Sequence, residues 1–182
     1  MVAASEDAVM DPAQVADATK RATLDLAEYA RTSQSSACFV CELIAGTIDS
    51  PHEVVYRDDF AIAFLNRFPT LLGYCLVAPL EHRVDVIRDF TAEEYLRLQE
   101  VVRNVGLAIS NAVPTERMYI MSLGSNQGNA HVHWHVAPLP PGVAYEDQQF
   151  RALMLETDGY IDLSPEEQRL LATQIRESWP GC

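Results

Sequence analysis

The chain has 182 residues, enough for one domain with a sizeable core, and its 48% apolar and 21% charged content is that of an ordinary globular protein. The 26 acidic residues outnumber the 13 basic ones, for a formal net charge of −13, a field that repels a nucleic-acid backbone and argues against nucleic acid as a partner. No apolar run reaches the roughly 18 residues of a membrane span, and "MVAASEDAVMDPAQ" lacks the basic and apolar regions of a secretory signal, so no membrane partner and a cytoplasmic location are expected.

Residues 1 to 11 read as disordered. Asp11-Pro12 can cap and start a helix, along which apolar residues recur around Val15, Ala18, Ala22, Leu26 and Tyr29. "RTSQSSA" (31–37) reads as a polar loop. "CFVCELIAGTI" (38–48) opens on a C-x-x-C pair and continues as a short helical turn or strand. "EVVYRDDFAIAFLN" (53–66) predicts two strands joined at Asp58-Asp59, and "YCLVAP" (74–79) predicts a third.

The clearest helix follows. Thr91 and Glu94 form a capping box, after which Tyr95, Leu98, Val101, Val102, Val105 and Ile109 keep helical spacing. "ERMYIMSLG" (116–124) predicts a fourth strand, "SNQGNA" a polar turn and "HVHWHVAP" (131–138) a fifth strand. A second capping box, Ser164 to Glu167, opens a helix ending near Trp179, with Leu170, Leu171, Ile175 and Trp179 as its apolar stripe. Successive strands with one long helical crossover predict an α+β fold with a mostly antiparallel five-stranded sheet and extra N- and C-terminal helices. The expected division is an N-terminal extension with one helix (1–37), a central domain (38–140) and a C-terminal helical tail packed on that domain (141–182).

In a strand, alternate residues share a face. His131, His133 and His135 therefore line one face, and Val132, Trp134 and Val136 the other, with Trp134 under a helix. Three adjacent imidazoles each need partners, and three cations would repel. Such an array is costly for stability alone. Two uses fit: three ligands for one metal ion, or an anion site in which one imidazole is a nucleophile and its neighbours donate to phosphate oxygens. The C-x-x-C of Cys38 and Cys41 reads as a metal or redox pair. Cys75 reads as a core strand residue, Cys182 as a free thiol and His52 as a loop residue.

His131-Val-His133-Trp-His135-Val-Ala-Pro resembles the signature of the histidine triad (HIT) superfamily. The similarity extends to "FAIAFLNRFPTLLGYCLVAPLEH" (60–82) and the polar loop "MSLGSNQGNA" (121–130), so it covers residues 38 to 140. The resemblance implies a nucleotide hydrolase or nucleotidyl transferase that acts on the α-phosphate through a covalent nucleotidyl-histidine. It implies His133 as nucleophile and His135 on the transferred phosphate. Asn66 would meet the ribose, and Ser122, Gln127 and Asn129 would be polar substrate contacts. Ser122 departs from the usual Asn or Gln. The resemblance to the zinc-binding C-x-x-C subgroup further implies a structural Zn²⁺ held by Cys38, Cys41, His82 and His131. The partners it implies are a nucleotide and a second copy of the chain, as a homodimer. The alternative is a zinc-stabilised nucleotide-binding module with little turnover.

Overall fold

The computed structural model describes residues 20–48, 52–123 and 130–181. In chain order these are β1 (Arg21–Ala22), α1 (Leu26–Ser35), α2 (Phe39–Ala45), β2 (Val54–Arg57), β3 (Ala61–Leu65), β4 (Cys75–Pro79), α3 (Ala92–Ala112), β5 (Arg117–Met121), β6 (Trp134–Leu139), α4 (Gln148–Arg151), α5 (Leu155–Asp158), β7 (Tyr160–Ile161) and α6 (Pro165–Glu177). The main sheet has five strands in the order β2-β3-β4-β6-β5, and each neighbouring pair is antiparallel. Helix α3 is the crossover between β4 and β5, which flank β6. This is the α+β architecture expected from the sequence.

The period-2 pattern decides what each sheet face covers. Ala61, Ala63, Leu65, Cys75, Val77, Val132, Trp134 and Val136 pack against Leu98, Val101, Val105 and Ile109 of α3 and Leu171 and Ile175 of α6. Ile62, Phe64, Leu76, Ala78 and Ala137 face the other way, against Val40 and Leu43 of α2. Both faces of β3 and β4 are thus buried, which explains their unbroken apolar runs. Trp134 does lie under α3, edge-on to Phe90 and Tyr95 at ring separations of 6.1 and 6.0 Å. Both capping boxes close as expected. The β2–β3 turn is held by Asp58, whose carboxylate accepts from the Phe60 and Ala61 amides at 2.8 and 2.6 Å.

Three local expectations change. The helix expected from Asp11-Pro12 begins among residues outside the described ones, and Ala22, assigned to it, is in β1 instead. Leu26 and Tyr29 belong to α1, a separate helix capped by Asp25, which accepts from Glu28 N at 2.9 Å. The polar "RTSQSSA" is mostly the second half of this helix. Its hydroxyls bond back to carbonyls one turn earlier, Ser35 to Arg31 O at 3.0 Å and Ser36 to Thr32 O at 2.6 Å, so they do not break it. The last strand begins at Trp134 rather than His131. Its ladder with β4 stops at the Val77–Trp134 pair, and Val132 N instead donates to Arg83 O at 2.7 Å.

A second, two-stranded sheet was not legible in the residue pattern. There β1 pairs antiparallel with β7, joining the N-terminal segment to the C-terminal tail. Arg21 strengthens the join by donating to Thr70 O at 3.0 Å and Gly159 O at 3.2 Å. Gly159 has φ +66°, and a Cβ there would stand 2.2 Å from Ala22 O. Gly159→Ala should therefore open this clasp and lower stability by about 1–3 kcal/mol. A denaturation midpoint equal to that of the wild type would contradict the assignment. The tail itself packs on its own chain. Leu171 and Ile175 are fully buried, Trp179 stacks on Tyr56 at 4.4 Å, and Arg176 donates to Val54 O at 2.7 Å. Leu170 is left exposed. Among the described residues no helix is long and apolar enough to cross a membrane.

Candidate active site and metal centre

Four predicted ligands meet on the α2 side of the sheet. Cys38 is the N-cap of α2 and Cys41 lies in its first turn, so the C-x-x-C spacing turns both thiols to one side. His82 follows the end of β4, and His131 approaches β6. The Cys41 thiol is 3.3 Å from His82 Nδ1 and 3.6 Å from His131 Nδ1, and the Cys38 thiol is 3.5 Å from His131 Nδ1. All four donor atoms lie within 4.8 Å of one another, so the cluster could hold a metal ion. With metal–sulfur and metal–nitrogen bonds of about 2.3 and 2.05 Å, a tetrahedron has sulfur–nitrogen edges of about 3.6 Å. The donor set fits such an ion.

His131 is prepared for that role. It is fully buried, and its Nε2–H donates to Pro79 O at 3.0 Å, which leaves the Nδ1 lone pair facing the thiols. Burial pushes its pKa down to about 4, keeping the imidazole in the neutral form that binds metals. Burial and the neighbouring Cys38 push the Cys41 thiol up to about 11. A cation among these donors would reverse that shift by stabilising the thiolate.

The remaining triad histidines carry complementary hydrogen-bond patterns. His133 is buried, and its Nδ1–H donates to His131 O at 2.7 Å, leaving a lone pair on Nε2. His135 Nδ1 shares a hydrogen bond of 3.0 Å with the Tyr74 hydroxyl; with the phenol as donor, Nε2 is left as an N–H donor. The phenol suits the donor role because burial raises its pKa. Burial also lowers the pKa of His133, and burial plus the adjacent His133 push His135 down to about 3. Both rings are thus neutral near pH 7 and lie 4.9 Å apart, with the lone pair of His133 Nε2 free.

They open on a cavity of about 630 Å³ that also takes in Asn66, Phe39, Phe64 and His52. Helix α1 supplies another wall through Tyr29 and Thr32. The cavity brings Asn66 together with His133 and His135. Asn66 Oδ1 accepts from Phe68 N at 3.1 Å, which holds the loop after β3. The Ser122 hydroxyl donates to His133 O at 3.0 Å and ties the end of β5 to the triad. Gln127 and Asn129 lie outside the described residues.

Two residues beside the triad escaped sequence reasoning. Tyr74 immediately precedes β4 and has the parity of Leu76, which pairs with His135, so strand register carried the signal once the pairing was known. His52 is in a loop, as expected, but its ring lies among the aromatic side chains of the cleft, which the sequence does not show.

The HIT domain model matches residues 47–141. The chain belongs to the HIT domain family. A crystal structure of a hypothetical histidine triad nucleotide-binding protein from Sulfolobus tokodaii has a TM-score of 0.62 at 26% identity, covering 78% of this chain and 91% of that one. A Zn-bound histidine triad family protein from Mycobacterium smegmatis shares the fold, with a TM-score of 0.60 at 20% identity over 81% of this chain and 94% of that one. The adenosine 5'-monophosphoramidase hnt1 of Schizosaccharomyces pombe is 28% identical over 106 residues, 57% of this chain and 75% of its own. Other curated relatives are mostly uncharacterized HIT-like proteins. Within this HIT domain protein, Asn66, His82 and the triad fall inside the matched segment. Cys38, Cys41 and α1 precede it.

Proposed function

We propose that this HIT domain protein is a nucleotide hydrolase or nucleotidyl transferase that works through a covalent nucleotidyl-His133. The observation that carries the reading is the free lone pair on His133 Nε2, fixed by the bond from Nδ1–H to His131 O, beside His135 in the same cavity. His133 Nε2 attacks the α-phosphorus, forming a P–N bond as the bond to the leaving group breaks with its electron pair. His135 Nε2–H donates to a non-bridging oxygen as charge shifts there. Asn66 orients the ribose, and Ser122 holds the triad strand, with Gln127 and Asn129 as further polar contacts from the adjoining loop. Water or another acceptor then attacks phosphorus and returns the electron pair to the imidazole.

The favoured substrate class is a nucleoside 5'-phosphoramidate, which the name of the fission-yeast relative supports. Incubation with nucleoside phosphoramidates and dinucleoside polyphosphates, with product identification, tests it. Release of a nucleoside monophosphate from the first series is expected. Tight nucleotide binding without turnover of any substrate would replace this reading with that of a binding module.

The cluster of Cys38, Cys41, His82 and His131 is assigned to Zn²⁺. Two thiolates and two imidazoles complete a tetrahedral shell, so the ion serves structure and leaves chemistry to the triad. Zinc joins α2 to the strand that carries His133. The working unit is taken to be a homodimer in the cytoplasm, with the segments 1–37 and 141–182 as additions to the central 38–140. Light scattering giving the mass of one chain would reject the dimer.

Tyr74 acts through His135 as a positioning residue. Tyr74→Phe frees His135 to take the other tautomer, so kcat should fall about tenfold with KM little changed, the value of one hydrogen bond in the transition state. Unchanged kcat would remove this role.

A further inference from the structure

The loop after β3 borders a second, smaller cavity that neither the triad chemistry nor the metal cluster uses. It holds about 220 Å³ and shares Asn66, Arg67 and Phe68 with the triad cavity, so the two meet at this loop. Its far wall includes Tyr160, Asp162 and Gln168, from the tail beyond the matched HIT segment. The tail is fixed there. Ile161 N donates to Pro69 O at 2.8 Å, and Tyr160 meets Phe68 edge-on at 5.0 Å. Pockets for a whole small molecule start at about 300 Å³, so this one suits a group appended to a ligand already in the triad cavity.

The wall offers donors for an anion. Among the described residues, Arg67 is the only lysine or arginine that lines either cavity. Its guanidinium lies over the Phe68 ring at 5.2 Å, and among the described residues it forms no hydrogen bond or ion pair. The Tyr160 hydroxyl likewise bonds to no described residue. Asp162, the carboxylate on this wall, is paired with Lys20 at 3.5 Å, and the Gln168 amide is spent on Leu163 O at 2.8 Å. A guanidinium can hold two oxygens of one phosphate through parallel N–H bonds, and a phenol adds a third donor.

Placement decides which phosphate. In the nucleotide reading above, on which this step rests, the ribose sits at Asn66. Asn66 Oδ1 is taken by Phe68 N, so its NH2 is left for the ribose hydroxyls. The 5' carbon leads to the phosphate at the triad, and the base departs from the 1' carbon. A group on the 2' or 3' hydroxyl therefore lies on the remaining side, past Asn66 toward Arg67. We infer that the small cavity is a phosphate subsite for nucleotides that carry a phosphate monoester on the ribose 2' or 3' hydroxyl, held by Arg67 and Tyr160.

Calorimetry at low ionic strength, where an exposed guanidinium is least screened, tests this with AMP, ADP and the 2',5'- and 3',5'-bisphosphates of adenosine. One of the bisphosphates should bind the wild type about tenfold more tightly than AMP, the value of a charge-assisted bond at an exposed site. In Arg67→Met that ratio should fall to about one, and in Tyr160→Phe it should fall about threefold, as for one neutral hydrogen bond. The ratio of ADP to AMP affinity should be the same in Arg67→Met as in the wild type, because the second phosphate of ADP extends from the triad. Zinc content and melting temperature of both variants should match the wild type. Wild-type protein that binds AMP and gains nothing from either bisphosphate would overturn the inference and leave the nucleotide reading standing. A bisphosphate advantage that survives Arg67→Met, or an equal loss with ADP, would overturn it as well. Failure of the wild type to bind any of the four would remove both readings together.

Discussion

Replacing His133 by alanine is expected to cut turnover by about 10⁴-fold, equivalent to about 5.4 kcal/mol of transition-state stabilisation. The size follows from the covalent step. The other triad histidines cannot take over this role. His131 turns Nδ1 to the thiols and spends Nε2 on Pro79 O, while His135 shares Nδ1 with the Tyr74 hydroxyl. The cavity wall formed by Phe39, Phe64, His52 and Asn66 is untouched, so nucleotide affinity should change by less than about threefold, as expected when an interaction is made only in the transition state. Rapid quenching with α-labelled nucleotide should trap acid-labile label on the wild type and none on the variant. If His133→Ala turns over within tenfold of the wild type, the covalent route is wrong.

The second large effect concerns the metal cluster. Purified protein should carry about one zinc ion per chain, and Cys38→Ser should lose both metal and stability. Cys38 caps α2 and Cys41 sits in its first turn, so ligation ties this helix to His131 and to the strand end beside His133. Without the ion, that tie is reduced to thiol–imidazole contacts around Cys41, whose thiol stays protonated. A loss of about 3–5 kcal/mol would lower the melting temperature of a chain this size by roughly 10 °C. Chelation of wild-type protein should reproduce the shift, and added Zn²⁺ should reverse it for the wild type alone. Metal-free protein that melts at the same temperature as the loaded form would reject the site.

The chain by itself determined its periodicities. Alternation in 131–136 was enough to put the histidines on one face and Trp134 under a helix, because side-chain direction in extended backbone repeats every two residues. The capping boxes at Thr91 and Ser164 were equally legible, since a cap involves only residues three positions apart. The α1 helix was misread because its caps are good while its composition is that of a loop. Hydroxyls bonding back to the preceding turn are invisible in composition.

The site was legible in its residue types and less so in its assembly. Residues alone left the C-x-x-C pair between metal and redox chemistry, and resemblance to a family supplied the four-ligand set. Only the tertiary structure put Cys38 within 3.5 Å of His131, 93 positions away, set Tyr74 on His135, and drew His52 into the cleft. It also clasped β1 to β7 so that α1 walls the cavity. Local pattern fixes which way a side chain points from its own strand or helix. Which distant side chain it meets is set by strand register and by the packing of helices on the sheet, and those depend on the whole core at once.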